Sequence, residues 1–236
     1  MFWSNFGKNI KLGVIEDQSN RMRLAKLLRF HTTFEDEEMT GLDDYISRMK
    51  DDQDTILYLP GDSKSAILKS PILKKYVKEG YEVLILPDPI DEFTVQHLSE
   101  YEKRKVKSIA KDDVNLFENT EIAKEKAKKL REMYKPLTDF FKSHLGKQIN
   151  SVSISNKLED APLFILTSQY GYSAQMEKIN KNQAMANHEK APSYMLAKKN
   201  LELNPSHPVM KQLLQTVKDN DGTLPNDQLE YVDLLY

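Results

Sequence analysis

Cysteine is absent from all 236 residues, which excludes a thiol nucleophile, a cysteine-type zinc cluster and any disulfide framework, so stability must come from packing. No apolar run approaches the roughly 20 residues needed to cross a bilayer. The opening Met1-Phe-Trp-Ser-Asn-Phe6 also lacks the basic start and long apolar core of a signal peptide. An excess of one charge is missing too: Lys plus Arg number 34 against 36 Asp plus Glu, a formal net charge of -2. Such a balance leaves no field to gather nucleic acid or anionic membrane. What is plentiful is mixed charge, 30% of the residues, the surface of solvated helices. The length suffices for one domain or two, each with its own core.

Hydrophobic spacing supplies the elements. Leu12 to Phe30 carries Leu24, Leu27 and Leu28 among Arg21, Arg23, Lys26 and Arg29, the pattern of an amphipathic helix packed on one face. An acidic loop, Glu35 to Glu38, leads to a short helix around Asp43 to Met49. Ile56-Leu-Tyr-Leu59 and Val83-Leu-Ile-Leu86 are continuous apolar runs separated by a helical segment. They predict a βαβ unit whose parallel strands are covered on both faces. Ser70-Pro71 divides the intervening helix, since proline suits a first helical position and disfavours α conformation just before it. Asp88 is placed to cap the next helix, and Val106 to Ile109 to add a third strand.

From Thr120 to Leu145 the chain turns Lys/Glu-rich around the stripe Ile122, Ala127, Leu130, Tyr134, Leu137, Phe141 and Leu145. This predicts a long connector helix, or a pair divided at Pro136, with Gly146 as its stop. The boundary between two domains is drawn at its start, giving 1–118 and 119–236. Beyond it, Val152 and Ile154 alternate with serines, and Leu163-Phe-Ile-Leu166 is a denser run, the pattern of antiparallel strands with one wet face. Helices over Tyr172 to Ala186 and Pro208 to Val217 and a strand at Leu201 to Leu203 complete a mixed α+β domain. Leu229, Val232, Leu235 and Tyr236 keep helical spacing up to the last residue without a cap, which suggests a cut through a helix. The fold class is therefore α/β plus α+β: a helical segment and small βαβ subdomain, a connector helix, then a mixed α+β domain.

No complete catalytic pattern stands along the same path. Leu59-Pro-Gly-Asp-Ser-Lys-Ser65 stands where a phosphate loop would, but it has one glycine instead of the two that let successive N–H groups wrap phosphates. An ordinary strand-to-helix turn capped by Ser or Asp is the simpler reading. His31, His97, His144, His188 and His207 stand far apart and form no HxxxH pair. Asp88, Asp91 and Glu92 sit where capping and the helix dipole already favour acids. Catalytic and metal-binding residues are accordingly set at none. In Ser168 to Ile179, Tyr172, Met176 and Ile179 form a narrow stripe between polar neighbours. Methionine and tyrosine recur on adaptable binding faces. The pattern alone leaves two options open, packing on the chain's own domain or contact with a partner.

Several stretches, in order along nearly the whole chain, resemble the ninety-kilodalton heat-shock protein chaperones. They are Asn9 to Phe30, Asp43 to Met49, Ser70-Pro71, Asp88-Pro-Ile-Asp-Glu-Phe93, Tyr134-Lys-Pro-Leu137, Ser168-Gln-Tyr-Gly171 and Glu202-Leu-Asn-Pro205. Gly13-Val-Ile-Glu-Asp17 and Ser168-Gln-Tyr-Gly171 are more similar to the endoplasmin-like branch than to the cytosolic one. The resemblance implies the end of a middle domain, 1–118, and most of a C-terminal domain, 119–236. It implies that the ATP domain and the arginine-bearing catalytic loop precede Met1, that Arg21 is not that arginine, and that the dimer helices largely follow Tyr236. ATP and Mg²⁺ then belong to the full-length parent, and this fragment has no cofactor and no enzyme activity. The expected partners are unfolded or partly folded clients, with co-chaperones possible and a homodimer in the parent; nucleic acid and membrane are not expected. The implied compartment is the endoplasmic-reticulum lumen, with the cytoplasm as alternative. The family's helix matching Ser173 to Ala186 contacts clients, which makes Tyr172, Met176 and Ile179 the client-binding candidates. Tyr172 stands where the family usually has tryptophan, and Asn180 replaces an apolar residue. A structural or dimer-coupling scaffold without client contact is the competing role.

Overall fold

The computed structural model describes residues 2–35, 37–114, 116–117, 120–168, 173–179 and 199–236. The chain divides into two compact units, one of Met1–Ile109 with Ser173–Ala191 and one of Ala110–Tyr172 with Pro192–Tyr236.

The first unit opens with helix α1, Phe2–Glu16, then α2, Arg21–Ala25. The expected single helix from Leu12 to Phe30 is therefore broken, and the reason is local. Asp17 accepts the Asn20 backbone N–H at 3.0 Å and its side-chain amide at 2.8 Å, a side-chain turn that competes with helix. Arg21 then donates to the Val14 and Ile15 carbonyls at 2.7 and 3.0 Å, satisfying the end of α1. Ala25 and Leu28 are buried while Leu27 is exposed, and Phe30 already bridges to Thr40.

Strand β1, His31–Thr32, precedes α3, Leu42–Arg48, and β2, Thr55–Pro60. Helices α4, Lys64–Leu68, and α5, Pro71–Lys78, follow, with Pro71 opening α5 as its position predicts. Then come β3, Leu84–Leu86, α6, Pro89–Leu98, β4, Glu100–Tyr101, and β5, Arg104–Ser108. The sheet runs β1-β3-β2-β5-β4. β2 is parallel to both β3 and β5, and the short edge strands β1 and β4 pair antiparallel. The βαβ unit and its third strand are thus as expected. The two-residue edges lay below what apolar periodicity reveals.

Burial covers β2 from Thr55 to Leu59, which accounts for its unbroken apolar run. Val14, Leu28, Ile56, Leu84 and Val95 meet in one core. Tyr45 ties this core together: its hydroxyl donates to the Glu82 carbonyl at 2.7 Å and accepts from the Leu57 N–H at 3.0 Å. Burial pushes its ionisation up.

The second unit is built on α7, Glu121–Leu145, which continues unbroken through Pro136 and stops at Gly146, where φ is +53°. Only the later half of its stripe is core, with Tyr134, Leu137, Phe141 and Leu145 buried and Ile122 at 82% exposure. Strands β6, Ser151–Ile154, and β7, Leu163–Thr167, do not pair with each other. In the first unit, residues 174–179 form a short helix, α8. In the second, β8, Lys199–Leu203, lies between β6 and β7, parallel to the former and antiparallel to the latter. The sheet is mixed where an antiparallel one was expected, because β8, from farther along the sequence, fills the centre between β6 and β7. Helices α9, Pro208–Asp219, and α10, Asn226–Leu235, close the core over Leu201, Leu203, Leu213 and Val217.

Candidate functional site

The stretches singled out in the sequence meet in space as pairs. Lys11 on α1 forms an ion pair with Asp91 on α6, and the two residues are 5% and 4% exposed. The Lys11 ammonium also lies 5.5 Å from the centre of the Trp3 ring. Burial raises the Asp91 carboxyl above its ordinary range, and Lys11 opposes this. In the second unit the Tyr134 hydroxyl donates to the Pro205 carbonyl at 2.8 Å. Asn204 donates to the Glu159 and Ala161 carbonyls and accepts from the Ser206 N–H. These motif residues hold the fold.

Asp91 and Glu92 are therefore not solvated capping acids. Asp88 occupies the N-cap of α6 without a side-chain cap bond. Glu92, fully buried, accepts from Gln96 Nε2 at 3.2 Å and from Ser173 Oγ at 2.6 Å. That second bond leads to the segment that the sequence marked for partner contact.

Ser173 opens α8, its hydroxyl also accepting from the Met176 N–H at 3.1 Å. Gln175 extends its Nε2 to the carbonyls of Gly61, at 3.1 Å, and Pro87, at 3.3 Å. These residues follow directly on β2 and β3, so the side chain spans the carboxyl ends of two adjacent parallel strands. Open α/β sheets hold their ligands beyond such strand ends. Here the chain's own amide fills the place. Lys178 pairs with Asp62 at 2.7 Å, both well exposed. Among the described residues Gln175 Oε1 is buried without a hydrogen-bond partner, which costs about 1–3 kcal/mol and leaves the docking of α8 incomplete.

Of the three client-binding candidates, Met176 is 2% exposed, Ile179 is half-buried, and Tyr172 lies outside the described residues. Residues 180–186 of the expected helix also lie outside them. Glu92, Ser173 and Gln175 were missed as a group, because a bond across 81 residues leaves no local pattern.

The turn after β2 does not fit a nucleotide phosphate. Ser63 Oγ is engaged in capping α4 through the Ala66 N–H at 3.2 Å. A Cβ added to Gly61 would lie 2.7 Å from Ile67, so that glycine serves close packing of the turn on its helix. The exposed Asp62 places a carboxylate at the turn, which repels phosphate. Among the described residues no three His, Asp or Glu side chains converge as metal ligands. His97 Nδ1 and the Phe93 carbonyl are 2.8 Å apart, His144 Nε2 and Asp233 2.7 Å, and His207 caps α9. In the second unit an apolar groove of about 560 Å³ lies between α9 and α10, lined by Val209, Leu213, Tyr231 and Leu234.

The chain is thus a framework of two α/β units, the first held internally by the buried Lys11–Asp91 pair and carrying the short docked helix α8. It belongs to the Hsp90 protein family, whose family model matches residues 1–236. It is 42% identical to an endoplasmin homolog of Arabidopsis thaliana across 100% of this chain and 28% of that protein. An endoplasmin homolog of Hordeum vulgare is 43% identical over 98% of this chain and 28% of the relative, and one of Caenorhabditis elegans 44% identical over 94% and 30%. The chain thus spans about 28% of the length of the first relatives it matches.

Proposed function

We propose that this chain is a central-to-late portion of an ATP-dependent chaperone, supplying framework and part of the surface that holds partly folded clients. Membership of the Hsp90 family over residues 1–236 carries this reading. Residues 1–118 then end the middle domain, and 119–236 are most of the C-terminal domain. ATP and Mg²⁺ act in other parts of the parent, and this portion is neither enzyme nor cofactor carrier. Its partners are unfolded or partly folded proteins, co-chaperones and, through the parent, a second copy. The endoplasmin homologs among its relatives support work in the endoplasmic-reticulum lumen over the cytoplasm.

Client contact runs through Tyr172, Met176 and Ile179. Burying one aromatic and one methionine side chain offers ~3–5 kcal/mol before ordering costs, enough for weak, broad binding. In the full-length parent, Tyr172→Ala with Met176→Ala lowers suppression of citrate synthase aggregation by at least about twofold while far-UV circular dichroism is unchanged. Ile179→Ser, which perturbs packing less, has the same direction. Unchanged suppression in both removes the stripe from the client surface.

A second reading, scaffold and dimer coupling without client contact, is favoured by one observation: Met176 is 2% exposed. Hydrogen exchange separates the two. Slow exchange over 174–179 that is indifferent to client supports the scaffold, and exchange that slows when client is added supports contact.

A further inference from the structure

We propose that α8 is a self-docked latch: the cradle formed by Glu92, Gly61, Pro87 and Asp62 holds Ser173, Gln175 and Lys178, and this docking withholds Met176 from clients. The inference rests on the client-contact reading above and adds its regulation. Three features support it. The candidate contact residue faces inward, at 2% exposure, although the segment is short and Ser173, Gln175, Glu177 and Lys178 make most of it polar. The cradle offers acceptors only: two carbonyls beyond the strand ends and two carboxylates. The segment answers with donors at Ser173, Gln175 and Lys178, so the fit is specific and polar.

The docking is also releasable. Gln175 Oε1 has no partner among the described residues, and the Lys178–Asp62 pair is exposed at 63% and 60% of its side-chain surface, where ion pairs hold weakly. Undocking exposes the Met176 thioether together with the acceptor-lined cradle it covered. A client segment that gains Met176 must overcome the docking equilibrium, so apparent affinity falls by the undocked fraction. Any partner that fills the cradle with its own donors raises client affinity.

The test uses this 236-residue chain in three forms, with fluorescent, reduced and carboxymethylated α-lactalbumin as an unfolded probe. The opened form carries Ser173→Ala with Gln175→Ala. The locked form carries Asp62→Cys with Lys178→Cys, bridged by a short bis-maleimide, which is selective because the chain has no other cysteine. The opened form exchanges the Glu177 amide about tenfold faster than the parent and binds the probe about tenfold more tightly. The locked form exchanges it more slowly and binds the probe more weakly. Equal probe binding by all three, or unaltered exchange in the opened form, overturns the latch and leaves the client reading standing. If even a fast-exchanging opened form fails to bind the probe, the client reading falls and the latch with it.

Discussion

Lys11 and Asp91 illustrate how a charge is kept inside this molecule. Neither is solvated, and each has the other as counter-ion. Burial lifts the Asp91 carboxyl above its ordinary 3.8, and the Lys11 charge opposes without cancelling the rise. The folded state thus holds that proton more tightly than the unfolded chain does. Its contribution to stability is fully present below 3.8 and is lost as pH rises through the folded value. Lys11→Met removes the opposing charge and lifts the carboxyl further. Its deficit against the parent is expected to be small near pH 4 and to grow to about 3 kcal/mol at pH 7, read by urea unfolding at both. A deficit independent of pH contradicts this account. The same reasoning makes Lys11→Met with Asp91→Leu nearly neutral, because apolar residues fill the site without desolvated charge. From sequence, Asp91 looked like a first-turn acid. The acid preference of a helix start is strong enough to mask a residue whose partner lies 80 positions away.

At the scale of elements, β8 shows why a strand can be legible while its place is not. Leu201 and Leu203 mark it plainly, and both are fully buried. Its centrality depends on polar residues. Asn200 accepts from Asn150 Nδ2 and Ser151 Oγ and donates to Asp112, which pins the strand beside β6. Glu202 accepts from Ser155 Oγ at 2.6 Å and pairs with Lys157 at 3.2 Å, both partners buried. Glu202→Ala strands the Lys157 ammonium and is expected to cost about 3 kcal/mol, whereas Glu202→Gln, which still accepts from Ser155, costs less. Chemical denaturation of both variants checks the order. The reverse case is α1–α2, where helical spacing persists through Leu28 but Asp17 and Asn20 break the helix by a turn that hydrophobic periodicity does not register.

At the scale of the whole molecule, the described residues form two cores with no residue in common, one around Ile56, Leu84 and Val95, the other around Leu137, Leu203 and Val217. Each unit is large enough to unfold on its own. Differential scanning calorimetry is therefore expected to resolve two transitions. Lys11→Met lowers one and Glu202→Ala the other, by several degrees each. A single transition that both variants shift would show that the cores melt together. Membership of the Hsp90 family was carried by stretches spread from Asn9 to Pro205, and the structure gives many of them tertiary work: Lys11 with Asp91, Asp43 accepting from Tyr101 at 2.6 Å, Tyr134 with Pro205.

The amino-acid sequence by itself determined the βαβ unit, the long connector helix, the closing helices and the family, because each rests on local hydrophobic period, on proline and glycine, or on ordered motifs. Tertiary structure alone decided the central place of β8, the burial of Asp91 and Glu92, and the inward turn of Met176. The physical reason is common to all three. A buried polar group must find a partner wherever the fold supplies one, and those partners, Lys11 for Asp91 and Glu92 for Ser173, are brought close only by folding.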